Sequence, residues 1–289
     1  MPAGSSPLPG LEPEPLDLLI VGALTIDSFE DGSRAPGGSV LHAARAAAAR
    51  GYSVGVVTVA GSEPEARDGL RELRRLGSVH AEPARSTLAF AHRLEAGERR
   101  LILVAPPQRL VCPSRAVAPA AVLYAPLADE FGAGLAGQRY AAACTGAILQ
   151  GWLRTLDVGE RVRPLPLSAL PAALVDVLSG HRVLIASRED LLAVATDVPQ
   201  QLDALRACFG GQPALVVTDG AHGAWLEDGA GRVRIPAPAA VTAATASTVG
   251  PGDAFAAILL AELGRGVSLR RAAPVAASAV VEMLRRRFG

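Results

Sequence analysis

Short apolar runs alternate with longer mixed or alanine-rich stretches along most of the chain. Residues 16–24 hold few polar positions between a proline-rich lead and Asp27, which predicts a strand buried on both faces. Residues 28–38 are rich in turn formers, and 39–50 read as an alanine-rich helix. A second buried strand is predicted at 53–60 and a charged amphipathic helix at 63–76. Strand, helix, strand, helix predicts crossover units on a parallel sheet covered by helices.

The rhythm breaks at 87–93 and 100–104. These are two short strands around Glu95-Ala96-Gly97-Glu98, a hairpin that predicts a flap at the sheet edge. The alternation then resumes, with strands at 121–124, 141–144, 183–186 and 214–218 and helices at 167–178, 189–195 and 201–208. Residues 224–227 and 232–236 form a hairpin closed by Asp228-Gly229-Ala230-Gly231. Helices at 254–263 and 269–287 finish the chain. No internal repeat or linker divides residues 16–289, so one α/β body is expected after a disordered tail of residues 1–15.

Composition narrows the function classes. Formal net charge is +0 over 289 residues and mean hydropathy is +0.29, which argues against a nucleic-acid footprint. All the basic residues are arginine, with no lysine and no asparagine in the chain. A phosphate must therefore be met by arginine or by backbone. Cys112, Cys144 and Cys208 are isolated, as expected of thiols in a reducing cytoplasm. His42, His80, His92, His181 and His222 show no metal-ligand spacing. No apolar run reaches membrane-spanning length, and the protein is expected to be soluble and cytoplasmic.

The most informative stretch is Ser247-Thr248-Val249-Gly250-Pro251-Gly252-Asp253, at the opening of the apolar helix 254–263. A helix N-terminus offers unpaired N–H groups and partial positive charge, a ready site for phosphate. An aspartate there repels that phosphate but can take a proton from an alcohol that attacks it. The same residues also serve as an ordinary helix cap, with Pro251 near the first helical position. Asp27, at the end of the first strand, suits a ligand role, since open α/β sheets bind ligands at strand C-termini. Its alternative is a turn aspartate capping nearby N–H groups.

Several separated motifs resemble the PfkB/ribokinase family of carbohydrate and nucleoside kinases. Gly37-Gly38-Ser39 leading to His42-Ala43-Ala44 is similar to the family's early glycine pair. Thr87-Leu88-Ala89-Phe90 with Gly97-Glu98-Arg99-Arg100 is similar to its lid strands. Val217-Thr218-Asp219-Gly220-Ala221-His222-Gly223-Ala224 resembles the stretch beside the nucleotide, and Gly250 to Asp253 its anion hole and base. The resemblance covers about residues 16–266. It implies a three-layer α/β/α sandwich with a mostly parallel sheet and a small β lid near 25–38 and 85–105. It also implies transfer of the γ-phosphate of ATP, with Mg2+, to an alcohol of a small sugar, polyol or related metabolite.

In that scheme Asp253 is the base, and Gly250 and Gly252 belong to the anion hole. Asp27, Gly37, Gly38 and Ser39 meet the substrate, with Ser39 serving equally as a helix cap. Ser187, Thr218, Gly220 and Gly223 lie by the nucleotide. Asp190 reaches magnesium through water. Arg154, in Gln150-Gly151-Trp152-Leu153-Arg154, is expected to face solvent on a short helix, with a phosphate-facing role as the alternative, and His42 is expected to be a packed or partly exposed side chain rather than a catalyst. Lid strands hint at a homodimer, although their edge can equally be covered within one chain. No nucleic-acid or membrane partner is expected.

The sequence departs from the family pattern at three places. Ser187 and Asp190 stand where asparagine and glutamate are usual, and Ser247 replaces an acidic residue, which puts a monovalent cation in doubt. Pro251 replaces alanine and removes an N–H. Where that N–H faces the phosphate, its loss costs on the order of 3 kcal/mol. The alternative to a kinase is thus a catalytically impaired relative that binds a sugar or nucleotide as a sensor.

Overall fold

The computed structural model describes residues 15–95, 98–110, 118–131, 134, 142, 144–238 and 249–288. Residues 1–14 of the expected tail, Cys112 and Ser247 lie outside these. Nine strands build the main sheet: β1 (Leu18–Val21), β4 (Val54–Ala60), β5 (Ser78–Pro83), β8 (Ala121–Tyr124), β9 (Cys144–Ile148), β10 (Val183–Ser187), β11 (Ala214–Thr218), β12 (Ala224–Asp228) and β13 (Gly231–Ile235). Their order is β13-β12-β11-β10-β9-β8-β1-β4-β5. Pairing is parallel from β11 to β5, and antiparallel where β12 and β13 close the other edge.

Alternation along β1 shows why both sheet faces are covered. Leu18 and Ile20 join one core with α1 (Ser39–Ala49), α2 (Pro64–Leu76), α5 (Pro251–Gly264) and α6 (Leu269–Phe288). Leu19 and Val21 join the other, with α3 (Ala172–Ser179) and α4 (Val198–Phe209). The result is the expected three-layer α/β/α sandwich. Helix α5 is apolar all round and buried from Ala254 to Ala261, as a helix enclosed by other helices and a sheet must be. Gly146 in β9 permits this approach, because a Cβ there would lie 2.8 Å from Val183 and 2.9 Å from Leu260 of α5.

A second sheet has the order β3-β2-β6-β7. It contains β2 (Thr25–Ser28), β3 (Arg34–Gly37), β6 (Leu88–Glu95) and β7 (Glu98–Ala105). Its outer strand β7 is not an open edge. Gly159 and Val162 donate N–H bonds to Leu103 and Leu101 at 2.8 Å, and Leu103 donates to Glu160 at 3.2 Å. Residues 159–162 therefore close that edge within the chain, the alternative to pairing with a second copy.

Several elements differ from the sequence reading. Strand β3 falls in the stretch expected to be turns, because Pro36 and Gly37 mask an edge strand. Strand β5 was not expected; it pairs only with β4 and ends in Pro83. Strand β9 runs on to Ile148, beyond the strand expected at 141–144, because Thr145 and Gly146 dilute the apolar signal; residues 141 and 143 lie outside the described residues. The helix expected at 167–178 begins only at Ala172, since Pro171 holds Leu170 extended. The helix expected at 189–195 is a single 3-10 turn, Glu189–Leu191. The carbonyl groups on either side of it are met from outside: Gln201 donates to Arg188 O at 3.0 Å and to Ala195 O at 2.8 Å.

Glu130 fixes the end of the sheet where these loops gather. It is 1% exposed, and its carboxylate accepts N–H bonds from Ala23 at 2.9 Å, Ala128 at 2.9 Å and Leu127 at 2.9 and 3.1 Å. One side chain thus ties the β1–β2 junction to the segment after β8. Glu130→Ala leaves three N–H groups without their acceptor, each costing about 1 kcal/mol or more. Urea unfolding is expected to show a loss of roughly 3 kcal/mol; a change under 1 kcal/mol would contradict this role.

Candidate active site

The C-terminal ends of the parallel strands and the N-terminal ends of α1 and α5 meet at one edge of the sandwich. Gly250 caps α5 in the left-handed region, φ 101°. A side chain there would be strained, and its Cβ would lie 2.7 Å from the His42 ring. His42 is accordingly a packing residue against the turn, as expected. Pro251 occupies the first helical position, followed by Gly252 and Asp253, and Ala254 N–H closes the first turn on Gly250 O at 2.9 Å. The N–H groups of Gly252 and Asp253 therefore have no partner within the helix. Proline costs the helix nothing at this position, where its missing N–H would be unpaired in any case.

Asp253 is partly accessible. Burial is the main influence on its carboxyl and pushes its pKa up to about 6. The buried Ser39 hydroxyl, then the Arg154 guanidinium, act in the opposite direction, while the charges of Asp190 and Asp27 add to the rise. Five residues from five separate segments thus come within electrostatic reach: Asp27 of β2, Ser39 at the start of α1, Arg154 after β9, Asp190 after β10 and Asp253 of α5.

Arg154 corrects the sequence reading. Its side chain is only 14% exposed and lies 3.5 Å from Asp190 Oδ1, at the base of an excursion closed by Leu165 N–H to Leu153 O at 2.8 Å. The sequence signal was the absence of lysine, which makes an arginine the only permanent cation available to a phosphate site. Asp190 Oδ2 accepts from the Ser187 hydroxyl at 2.7 Å and the Ser187 N–H at 3.0 Å. With both carboxylate oxygens so engaged, Asp190 does not fit direct ligation of magnesium. Among the described residues no group of three or more His, Cys, Asp or Glu side chains is arranged to hold a metal.

The substrate-side glycines have steric reasons. A Cβ on Gly37 would run into the Asp27 carboxylate, and Gly38, at φ +98°, lies against Ala23 O and Thr25 N. Asp27 is 7% exposed; its Oδ1 accepts from Thr25 Oγ1 at 3.3 Å and lies 3.5 Å from His92 Nε2. His92, on β6, is a neighbour of Asp27 that sequence reasoning did not single out.

The expected nucleotide residues lie at the ends of β10 and β11. Ser187 is engaged by Asp190, and Thr218 donates weakly to Ala186 O at 3.5 Å. Gly220 is exposed at the start of the next turn. Gly223, at φ +95°, is small because a Cβ would strike the backbone of Ile235 and Ala237. A depression of about 550 Å³ lies elsewhere, between α1 and α2 beside Arg45, Tyr52 and Arg75. None of the clustered acidic residues lines it.

Solved structures share this fold. A pyrophosphate-dependent kinase in the ribokinase family, complexed with a pyrophosphate analog and myo-inositol, superposes with a TM-score of 0.71 at 19% identity, over 93% of this chain and 95% of that one. Arabidopsis thaliana ribokinase, complexed with ribose and ATP, gives 0.69 at 17% identity over 93% and 92%. Fructokinase from Vibrio cholerae gives 0.64 at 20% identity over 93% and 98%. At these identities the likeness is one of fold. No curated protein sequence matches. The model of the pfkB family carbohydrate kinases, however, matches residues 25–285, and the chain belongs to that family.

Proposed function

We propose that this protein transfers the terminal phosphoryl group of ATP to a hydroxyl of a small sugar, polyol or related metabolite, with Asp253 as the base. The observation that carries this reading is a carboxylate of pKa about 6 on the first turn of α5, beside N–H donors and the Arg154 guanidinium. A base poised near the working pH is ionised at neutrality yet still accepts a proton readily. The acceptor oxygen forms a bond to phosphorus as its proton passes to Asp253. The bond from phosphorus to the bridging oxygen breaks, and ADP leaves with that electron pair.

The N–H groups of Gly250, Gly252 and Asp253 stabilise charge on the phosphoryl oxygens in transit. Arg154 adds a positive charge on the same side, held in place by Asp190, and so offsets the donor lost at Pro251. Asp27 receives acceptor hydroxyls. The ends of β10 and β11, with Ser187, Thr218, Gly220 and Gly223, lie where the nucleotide would rest. Magnesium would accompany the ATP phosphates and neutralise part of their charge.

The test is transfer from ATP to a panel of ribose, fructose and myo-inositol, with pyrophosphate as a second donor. At least one acceptor should be phosphorylated. The rate should rise with pH through about 6 and level off above it, because only ionised Asp253 can take the proton. A rate that falls with pH over that window would exclude Asp253 as base. The sensor reading draws on Pro251 and on the Ser187 hydroxyl being committed to Asp190. Tight binding without product would select it.

Arg154→Gln should lower kcat on the order of a hundredfold with acceptor affinity nearly unchanged, and Arg154→Lys should recover part of the loss. Steady-state kinetics, with thermal unfolding as a check on the fold, decides this. An unchanged kcat in the glutamine variant removes Arg154 from the phosphate site.

A further inference from the structure

Arg154 lies past the end of β9, on neither a strand nor a long helix. A long arginine side chain rooted in a loop loses much rotamer freedom on being fixed, so its backbone needs support from outside. The residues just ahead of it supply that support. Gly151, in the 3-10 turn Gln150–Trp152, lies so near the segment after β8 that a Cβ would sit 2.4 Å from Pro126 C and 2.7 Å from Leu127 N. The turn is therefore seated directly on that backbone. Trp152 is 6% exposed, and its ring meets Phe131 edge-on, 5.6 Å between centroids and 88° from parallel. Its indole N–H donates to Phe131 O at 3.3 Å, and the Asp129 carboxylate also takes a hydrogen bond from this side chain. Asp129 is the one non-glycine among the described residues with a positive φ, 52°, a strained backbone that persists only where its surroundings dictate it. Glu130, next in the chain, ties the same segment to Ala23, just ahead of β2 and Asp27. Residues 126–131 thus bear on both sides of the site, on the Asp27 side through Ala23 and on the Arg154 side through Trp152.

We propose that Trp152 is the positioning residue for Arg154: it wedges the Gln150–Trp152 turn against residues 126–131, so that the guanidinium stays beside Asp190 and the start of α5. The edge-on ring and the indole N–H fix the turn, and fully buried Leu153 carries that constraint to Arg154. Past Arg154 the chain leaves on the excursion that returns at Leu165, so the fixed side of its root is the Trp152 side. Trp152 itself touches no reacting atom. The inference rests on the reading of Arg154 as the cation of the phosphate site, but it concerns where a charge is held and needs no turnover to be tested.

The Asp253 carboxyl reports on the guanidinium: burial, Asp190 and Asp27 raise its pKa, while Ser39 and Arg154 lower it. Carboxyl-carbon NMR titration of aspartate-labelled protein follows that group, with Asp253→Asn assigning its signal. In Trp152→Phe, which keeps a ring and loses the indole N–H, the midpoint should rise by about 0.5 or more above wild type, as a loosened Arg154 no longer holds it down. Phe131→Leu, which withdraws the ring that the indole meets, should move it in the same direction. In an Arg154→Gln background neither substitution should move it further. Thermal unfolding checks that each variant is folded. Where transfer is measurable, kcat of Trp152→Phe should fall on the order of tenfold with the acceptor KM unchanged. The inference is overturned if either folded variant keeps the wild-type midpoint, or if the midpoint rises as much with Arg154 already replaced. An Arg154-dependent rise in a protein that phosphorylates no acceptor would uphold this inference while rejecting the kinase reading. Full transfer with an unmoved midpoint would do the reverse.

Discussion

Keeping a carboxylate charged at the buried end of α5 is the constraint around which the rest of this molecule is arranged. Asp253 has burial and two further acidic side chains, Asp190 and Asp27, raising its pKa to about 6, against Ser39 and Arg154 lowering it. The folded value lies above the ordinary 3.8, so folding favours the protonated form. The stabilising contribution of this group is therefore fully present below about pH 4 and is lost as pH rises through the folded value. The shift corresponds to at most about 3 kcal/mol at neutral pH. A fold that bears this cost without using the group would gain by replacing it, and strained sites of this kind commonly trade stability for activity.

The sandwich absorbs the cost through its architecture. Two helix N-termini, those of α1 and α5, bring partial positive charge to the strand ends where the carboxylates gather. Glycines stand where side chains would collide: Gly37 against Asp27, Gly250 against His42, and Gly146 beneath α5. Glu130 anchors the β1–β2 junction through backbone donors, which steadies the approach to Asp27. At the opposite end of β1, Asp17 takes two hydrogen bonds from Arg265 at 2.9 and 3.0 Å, and the Arg265 guanidinium lies over the Tyr52 ring at 4.4 Å. Tyr52 also hydrogen-bonds Glu262. Chemistry at one end of the sheet thus faces a cross-linked base at the other.

Much of this was legible in the chain, for identifiable reasons. Strands buried on both faces, such as β1, β8 and β11, are written as short apolar runs whose period needs no interpretation. The Gly-Pro-Gly-Asp turn marked a helix start, and α5 begins there at Pro251. Edge strands β3 and β5 escaped because an edge needs apolar contact on one side only and tolerates Pro36 and Pro83. The turn at Glu189–Leu191 looked helical because nothing local reveals that Gln201, on the next helix, takes up the carbonyls of Arg188 and Ala195 on either side of it. The buried positions of Arg154 beside Asp190 and of His92 beside Asp27 were hidden for a related reason. Each reaches the site from a segment remote in sequence, and the long-range pairing of β2 with β6 brings His92 to Asp27.

The central claim is that Asp253 removes the acceptor proton, and replacing it with its neutral isostere addresses this most directly. Product formation by Asp253→Asn should be measured beside wild type at pH 7.5, with acceptor binding and thermal unfolding followed on the same samples. A fall in turnover of about a thousandfold is predicted, with acceptor affinity retained and an unfolding temperature equal to or above that of wild type. Turnover within a few-fold of wild type by a folded, acceptor-binding asparagine variant would contradict the account.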